Sequence, residues 1–191
     1  APAKQLERIE TPEQVFSAAG GVLHPEATFG FLIDGGDDRC LAALARLWDA
    51  GCSVEAALEP FSLEGRDHPR GTLLVRRDLN RDPRPRVVDG CAVGFGLPRT
   101  GQAIDVVGSV PEGADRLVAA LREVAARTGV TVIGAGTALS SAGPDLGSPR
   151  FRALWPPRIA VAAGEIVDWT SYGALAWVLD HELGVAMTPL S

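Results

Sequence analysis

This chain is poor in the residues on which catalytic centres are most often built. Its 191 residues include three histidines and three cysteines. A catalytic zinc takes about three well-placed protein ligands and an open position. His24 and His68 each precede a proline and have no His or Glu partner at helical spacing, so both are expected on surface loops. His181-Glu182 opens like the zinc motif HExxH, but its fifth position is Val185 and the motif fails. Near the end of a predicted helix, His181 is more simply a partner for the helix dipole. The sequence therefore assigns no metal ligand and no cofactor to this chain.

The cysteines exclude little. Cys40, Cys52 and Cys91 are odd in number and lack C-x-x-C spacing, so a disulfide is possible but not indicated. Cys40 falls on an apolar helix face and Cys52 beside a strand, where each acts as a small hydrophobe. Cys91 stands in Gly90-Cys91-Ala92-Val93-Gly94, without the Gly two places earlier that a nucleophile elbow uses, and no Ser stands in G-x-S-x-G.

Three further absences narrow the class. No run of about 18 apolar residues is present, which leaves no candidate transmembrane helix. The N-terminus, Ala1-Pro2-Ala3-Lys4, lacks the charged-then-apolar order of a signal peptide. It also lacks an initiator Met, so either the start was removed by processing or the segment was cut from a longer chain. A net charge of -6 provides no electrostatic footprint for nucleic acid. The arginines that cluster, from Arg76 to Arg86, alternate with Asp78, Asp82 and Asp89 as in a solvated loop of mixed sign.

What is present is ordinary globular material, 46% apolar and 22% charged. Thr28 to Ile33 reads as a buried strand. Asp37-Asp38 fits a helix start, Leu41, Leu44, Ala45 and Trp48 mark one helical face, and Gly51 stops the helix. Val54 to Leu58 and Gly71 to Arg76 follow as strands, with 59–70 as a loop between them. Ile104 to Val107 reads as a short strand. A helix begins near Ser109-Val110-Pro111-Glu112, buries Leu117, Val118, Leu121 and Val124, and ends at Gly129. Val130 to Ile133 is a strand, and 135–157 reads as a Gly, Ser and Pro loop. A strand from Pro157, a helix through Trp177 and a strand from Val185 form a parallel β-α-β unit at the end of the chain.

This alternation predicts an α/β fold with a mostly parallel, doubly wound sheet and flanking helices. The expected organisation is an N-terminal arm at 1–27, an α/β region at 28–157 with a surface insertion at about 78–101, and the β-α-β unit at 158–191. A β-α-β unit alone cannot cover both faces of a sheet, so the chain is expected to be part of a longer protein. In a parallel sheet, ligands bind at the carboxyl ends of the strands. That places the candidate ligand residues at Gly35, at Gly134, in the turn Asp145-Leu146-Gly147-Ser148, and at the crossover residues Asp168, Ser171 and Tyr172. Neither glycine stands in G-x-G-x-x-G or a P-loop. Asp145 and Ser148 also suit a turn, and Asp168 suits a helix cap.

Two stretches carry a family resemblance. One is Asp145-Leu146-Gly147-Ser148, Phe151, Leu154, Pro157-Arg158-Ile159-Ala160-Val161, then Tyr172-Gly173, Trp177, Leu179-Asp180, Glu182-Leu183 and Thr188. The other is Trp48 to Val54, Pro60-Phe61, Gly65-Arg66 and Pro69-Arg70-Gly71-Thr72-Leu73-Leu74-Val75. Over roughly 28–191 the chain resembles a subset of long bacterial zinc carboxypeptidases of the carboxypeptidase A-like superfamily. In these a metallopeptidase domain is followed by an accessory α/β region that includes a domain like class I glutamine amidotransferases. The resemblance implies a flavodoxin-like or amidotransferase-like fold and a non-catalytic role. It implies that the zinc and the partner surface lie in the parent's peptidase domain, with an extracellular or periplasmic setting. The family's zinc ligands, a His-x-x-Glu pair and a distant His, have no counterpart here, nor has its catalytic Glu. A homo-oligomer remains open. The alternatives are a free-standing small-molecule-binding domain with its ligand near Gly35, Gly134 and Asp168, and an amidohydrolase using Cys91.

Overall fold

Phe31, Leu32 and Ile33 are consecutive and all essentially buried, so the strand that carries them is covered on both faces. It is β2 (Gly30–Ile33), at the centre of a six-stranded sheet in a computed structural model that describes residues 20–81, 83, 115–164, 167–185 and 187–190. In chain order the elements are β1 (Gly21–Leu23), β2, α1 (Cys40–Asp49), β3 (Val54–Ala57), β4 (Phe61–Leu63), β5 (Arg66–His68), β6 (Leu73–Arg76), α2 (Arg116–Thr128), β7 (Thr131–Ala135) and β8 (Phe151–Leu154). After these come β9 (Ile159–Ala162), α3 (Trp169–Ala176), a π-helical extension at Trp177–Glu182, and β10 (Met187–Leu190).

The main sheet has the order β1-β7-β2-β6-β3-β8. Only β1 and β7 pair parallel; β2 pairs antiparallel with both β6 and β7, and β3 antiparallel with both β6 and β8. This corrects the expected doubly wound parallel sheet. The sheet is mixed and mostly antiparallel, and the described residues hold three short helices rather than a full set on both faces. Within the main sheet each β-α-β crossover skips one position. β2-α1-β3 leaves a gap that β6 fills, and β6-α2-β7 leaves a gap that β2 fills. Two interleaved split β-α-β units of this kind form the ferredoxin-like arrangement.

The physical reason for the difference lies in the second face. Phe31, Ile33, Leu73, Val75 and Val132 point to α1 and α2, meeting Leu44, Leu47, Leu121 and Val124. Leu32, Leu74 and Ala135 point the other way, onto Phe61, Leu63, Leu146 and Phe151. A β4–β5 hairpin and the loop at 136–150 cover that face, where a doubly wound fold would place helices. Strands buried on both faces read as continuous apolar runs whichever way they pair.

Local signals place the helices. Asp37 accepts the Arg39 backbone N–H at 2.9 Å just before α1, and Gly51, with φ 78°, ends that helix in the left-handed conformation. Cys40, Ala43, Leu44, Ala45 and Leu47 form its buried face; Leu41, expected there, is 62% exposed. Asp115 caps α2 by accepting the Val118 N–H at 3.1 Å, and Gly129 closes it at φ 75°. The stripe Leu117, Val118, Leu121, Val124 is buried as expected. The expected loops at 59–70 and 135–157 each contain strands, β4–β5 and β8. The expected strand at 104–107, the helix start at Ser109, and Cys91 lie outside the described residues. No helix among the described residues is long and apolar enough to cross a membrane.

The C-terminal β-α-β unit forms its own two-stranded parallel sheet, with Ile159 opposite Met187 and Ala162 opposite Leu190. It adjoins α1, whose Arg46 guanidinium lies beside Gly184; the Trp48 indole N–H of the same helix donates at 3.3 Å to the Leu154 carbonyl at the end of β8.

Candidate functional site

The residues singled out from the sequence fall in separate places. Gly35 follows the end of β2, and an added Cβ would lie 2.4 Å from the Gly71 backbone, so the position serves close packing of two chain segments. Gly134 faces Phe31 across the β2–β7 pair, and an added Cβ would lie 2.1 Å from the His24 carbonyl oxygen. Because β2 and β7 run antiparallel, the two glycines sit toward opposite ends of the sheet. The shared edge of strand carboxyl ends, which the parallel reading supplied, does not exist in this sheet.

Asp145 and Ser148 share one turn. The Asp145 carboxylate accepts the Ser140 N–H at 2.9 Å, its carbonyl accepts the Ser148 N–H at 3.1 Å, and the Ser148 hydroxyl is buried without a hydrogen bond. Asp168 caps α3, accepting both the backbone N–H (2.8 Å) and the hydroxyl (2.6 Å) of Ser171. The Ser171 hydroxyl and backbone N–H hold its carboxyl below the usual carboxylate range. Tyr172 is buried and packs edge-on against Trp169, with centroids 5.8 Å apart.

The environments of Cys40 and Cys52 disfavour the thiolate. Burial pushes the Cys40 thiol up to about 11, with Asp37 and Asp34 adding to the shift, and pushes Cys52 up to about 12. Among the described residues, no three His, Cys, Asp or Glu side chains converge as a metal set.

Two surfaces carry features that internal packing does not account for. The first is the C-terminal β-α-β unit. In β9 and β10 the residues alternate between half-buried and exposed, so no strand position there is fully covered. The helix between them buries only Tyr172, while Trp169 (56%), Trp177 (55%), Leu175 and Val178 are exposed. Trp155, just before β9, is 75% exposed. A helix that is apolar on most sides normally sits inside a larger structure, and parallel sheets are normally covered on both faces. A groove of about 390 Å³ runs between this unit and α1, lined by Trp48, Pro157, Ile159 and Val185 among others.

The second surface is a cavity of about 140 Å³ on the hairpin side of the main sheet, lined by Leu32, Leu63, Ile133, His24, Glu64, Arg66, His68 and Gly134. His68, expected on a surface loop, is in fact buried in β5, with its ring stacked on Phe61. Burial pushes its pKa below the ordinary histidine value, against the opposing field of Asp34. Glu64 accepts the Gly136 N–H at 3.1 Å. Sequence reasoning missed Glu64 and Arg66. The available signal was a two-residue turn, Glu64-Gly65, between the alternating triplets Phe61-Ser62-Leu63 and Arg66-Asp67-His68.

Compared with family models, with curated proteins and with solved structures, the chain matches none.

Proposed function

We propose that this chain is a non-catalytic accessory module that works by docking its C-terminal β-α-β unit onto a partner domain. The family resemblance makes that partner the peptidase domain of a zinc carboxypeptidase-like parent. The observation that carries this reading is the lone parallel strand pair joined by an apolar, mostly exposed helix. Pro189 cannot donate a ladder hydrogen bond, which suits β10 to a sheet edge and leaves the outer side of β9 to receive a neighbour. The exposed Trp169 and Trp177 are the residue type that most often anchors a protein interface. Asp145 is engaged in a turn, and Asp168 and Ser171 in a helix cap, which supports a structural role for these three.

Hydrogen exchange on the purified chain, alone and mixed with the peptidase domain of its parent, tests the reading. Backbone amides of β9, α3 and β10 exchange quickly in isolation and become protected in the mixture. One tightly held zinc per chain, peptide cleavage by the chain alone, or unchanged exchange in the mixture would overturn it.

A further inference from the structure

We infer that the cavity beneath the β4–β5 hairpin is a binding site for a small organic carboxylate with a short apolar tail. The site lies on the sheet face opposite α1 and α2, so it stands or falls independently of docking through the C-terminal unit.

Size sets the scale of the ligand. A dry cavity close to this one's 140 Å³ accepts a molecule of about six non-hydrogen atoms. Leu32, Leu63 and Ile133 form apolar walls suited to a short hydrocarbon group.

The polar groups set the chemistry. His68 is 5% exposed, and its ring nitrogens make no hydrogen bond to another described residue. Its ring lines the cavity, within reach of a ligand held there. A neutral imidazole at this site supplies one N–H donor to a ligand oxygen. Arg66 also lines the cavity, is exposed, and forms no ion pair among the described residues. Its planar fork matches a carboxylate.

Backbone geometry points to the same place. Among the described residues, only His24 (φ 52°) and Glu64 (φ 51°) are non-glycine residues in the left-handed region, and both line this cavity. Glu64 occupies the first position of a two-residue hairpin turn, where Asn, Asp or Gly is favoured. It is held there with its carboxylate on the Gly136 N–H, joining the hairpin to the end of β7. Strained positions of this kind concentrate at ligand sites. A metal is not the fitting occupant, because His24, Glu64 and His68 do not converge as a ligand set. The His24 ring instead lies 3.5 Å from Glu26.

The test is a titration of the full chain with butyrate and, separately, with its uncharged analogue butyramide, read from the ring resonances of His68 at constant pH. A saturable shift with butyrate is expected, in the millimolar range appropriate to so small a ligand. Butyramide binds at least about tenfold more weakly, since it forms no charge-assisted pair with Arg66. Arg66→Gln, a change at an exposed side chain, lowers butyrate affinity about tenfold or more and leaves the melting temperature unchanged. Arg66→Lys keeps the charge, loses the fork and falls between the two. No saturable shift, equal binding of butyramide, or full butyrate affinity in both Arg66 variants overturns the assignment.

Discussion

His68 stacks on Phe61 with ring centroids 4.8 Å apart and planes inclined by 20°. The stack buries an imidazole between the hairpin and the sheet, and burial is the larger influence on its protonation. Its folded pKa is therefore lowered, while the unfolded chain titrates near the ordinary 6.5. A depressed value contributes stability that is present above the unfolded pKa and is lost as pH falls through the folded one. Stability should decline as pH drops below about 6.5, at a limiting slope of about 1.4 kcal/mol per pH unit. Urea unfolding at neutral and mildly acidic pH checks this. His68→Phe keeps the stack and should remove this part of the pH dependence.

Gly134→Ala should destabilise the protein by about 2–3 kcal/mol, because its Cβ would lie 2.1 Å from the His24 carbonyl oxygen and 2.6 Å from the Ala27 Cβ. Neither neighbour is the free end of a flexible side chain. Gly21→Ala is the matched control, since its Cβ meets nothing within 4 Å. It should be neutral or stabilise by about 0.5 kcal/mol through reduced chain entropy. The two midpoints in denaturant distinguish crowding from a general effect of adding a methyl group.

Asp115 combines a cap with an ion pair: it accepts the Val118 N–H and pairs with Arg77. Asp115→Ala should cost about 1–2 kcal/mol. Asp115→Asn keeps a capping oxygen and loses the charge, so it should retain most of that stability. If the two variants lose equal amounts, the ion pair rather than the cap is the larger contributor.

Glu55 lies 3.8 Å from the Arg76 guanidinium, and its second oxygen is buried without a hydrogen bond. Burial raises its pKa, and Arg76 opposes that rise. Arg76→Leu should destabilise by about 2 kcal/mol at neutral pH, because it leaves a buried carboxylate uncompensated. In the Glu55→Gln background the same change should cost less. The difference, a coupling of about 1 kcal/mol, is read from a double-mutant cycle of urea unfolding.

The element content of this protein was largely legible in its sequence, and the arrangement of the elements was not. Leu117, Val118, Leu121 and Val124 mark one helical face by spacing alone, and Gly129 supplies the stop. Phe31, Leu32 and Ile33 mark a strand buried on both sides. Nothing local in those residues says that β6 and β7, rather than β3, become the neighbours of β2. Pairing order is set by how the whole chain closes its gaps. The short hairpin escaped notice because Ser62, Arg66 and Asp67 make it read as a polar loop. The proline after His68 suggests a surface loop, yet the alternation of His68 with the polar Asp67 is that of a strand with one buried face. The cavity is a spatial fact: its lining comes from β2, β4, β5, β7 and two turns distant in sequence. The β-α-β unit at the C-terminus was the most readable part, because its partners are close in sequence and pair in parallel.

The interleaving of the two split units has a consequence for how the chain comes to be folded at all. Phe31 finds one neighbour in Val75 and the other in Gly134, so β2 is made early and completed late. During synthesis its apolar triplet waits, open along at least one edge, until the ribosome has passed Ala135. Closure over such sequence distances is entropically slow, and an unpaired apolar strand is the feature most prone to intermolecular pairing. The centre of the sheet, which is the most protected place in the finished molecule, is its most vulnerable segment in the nascent one.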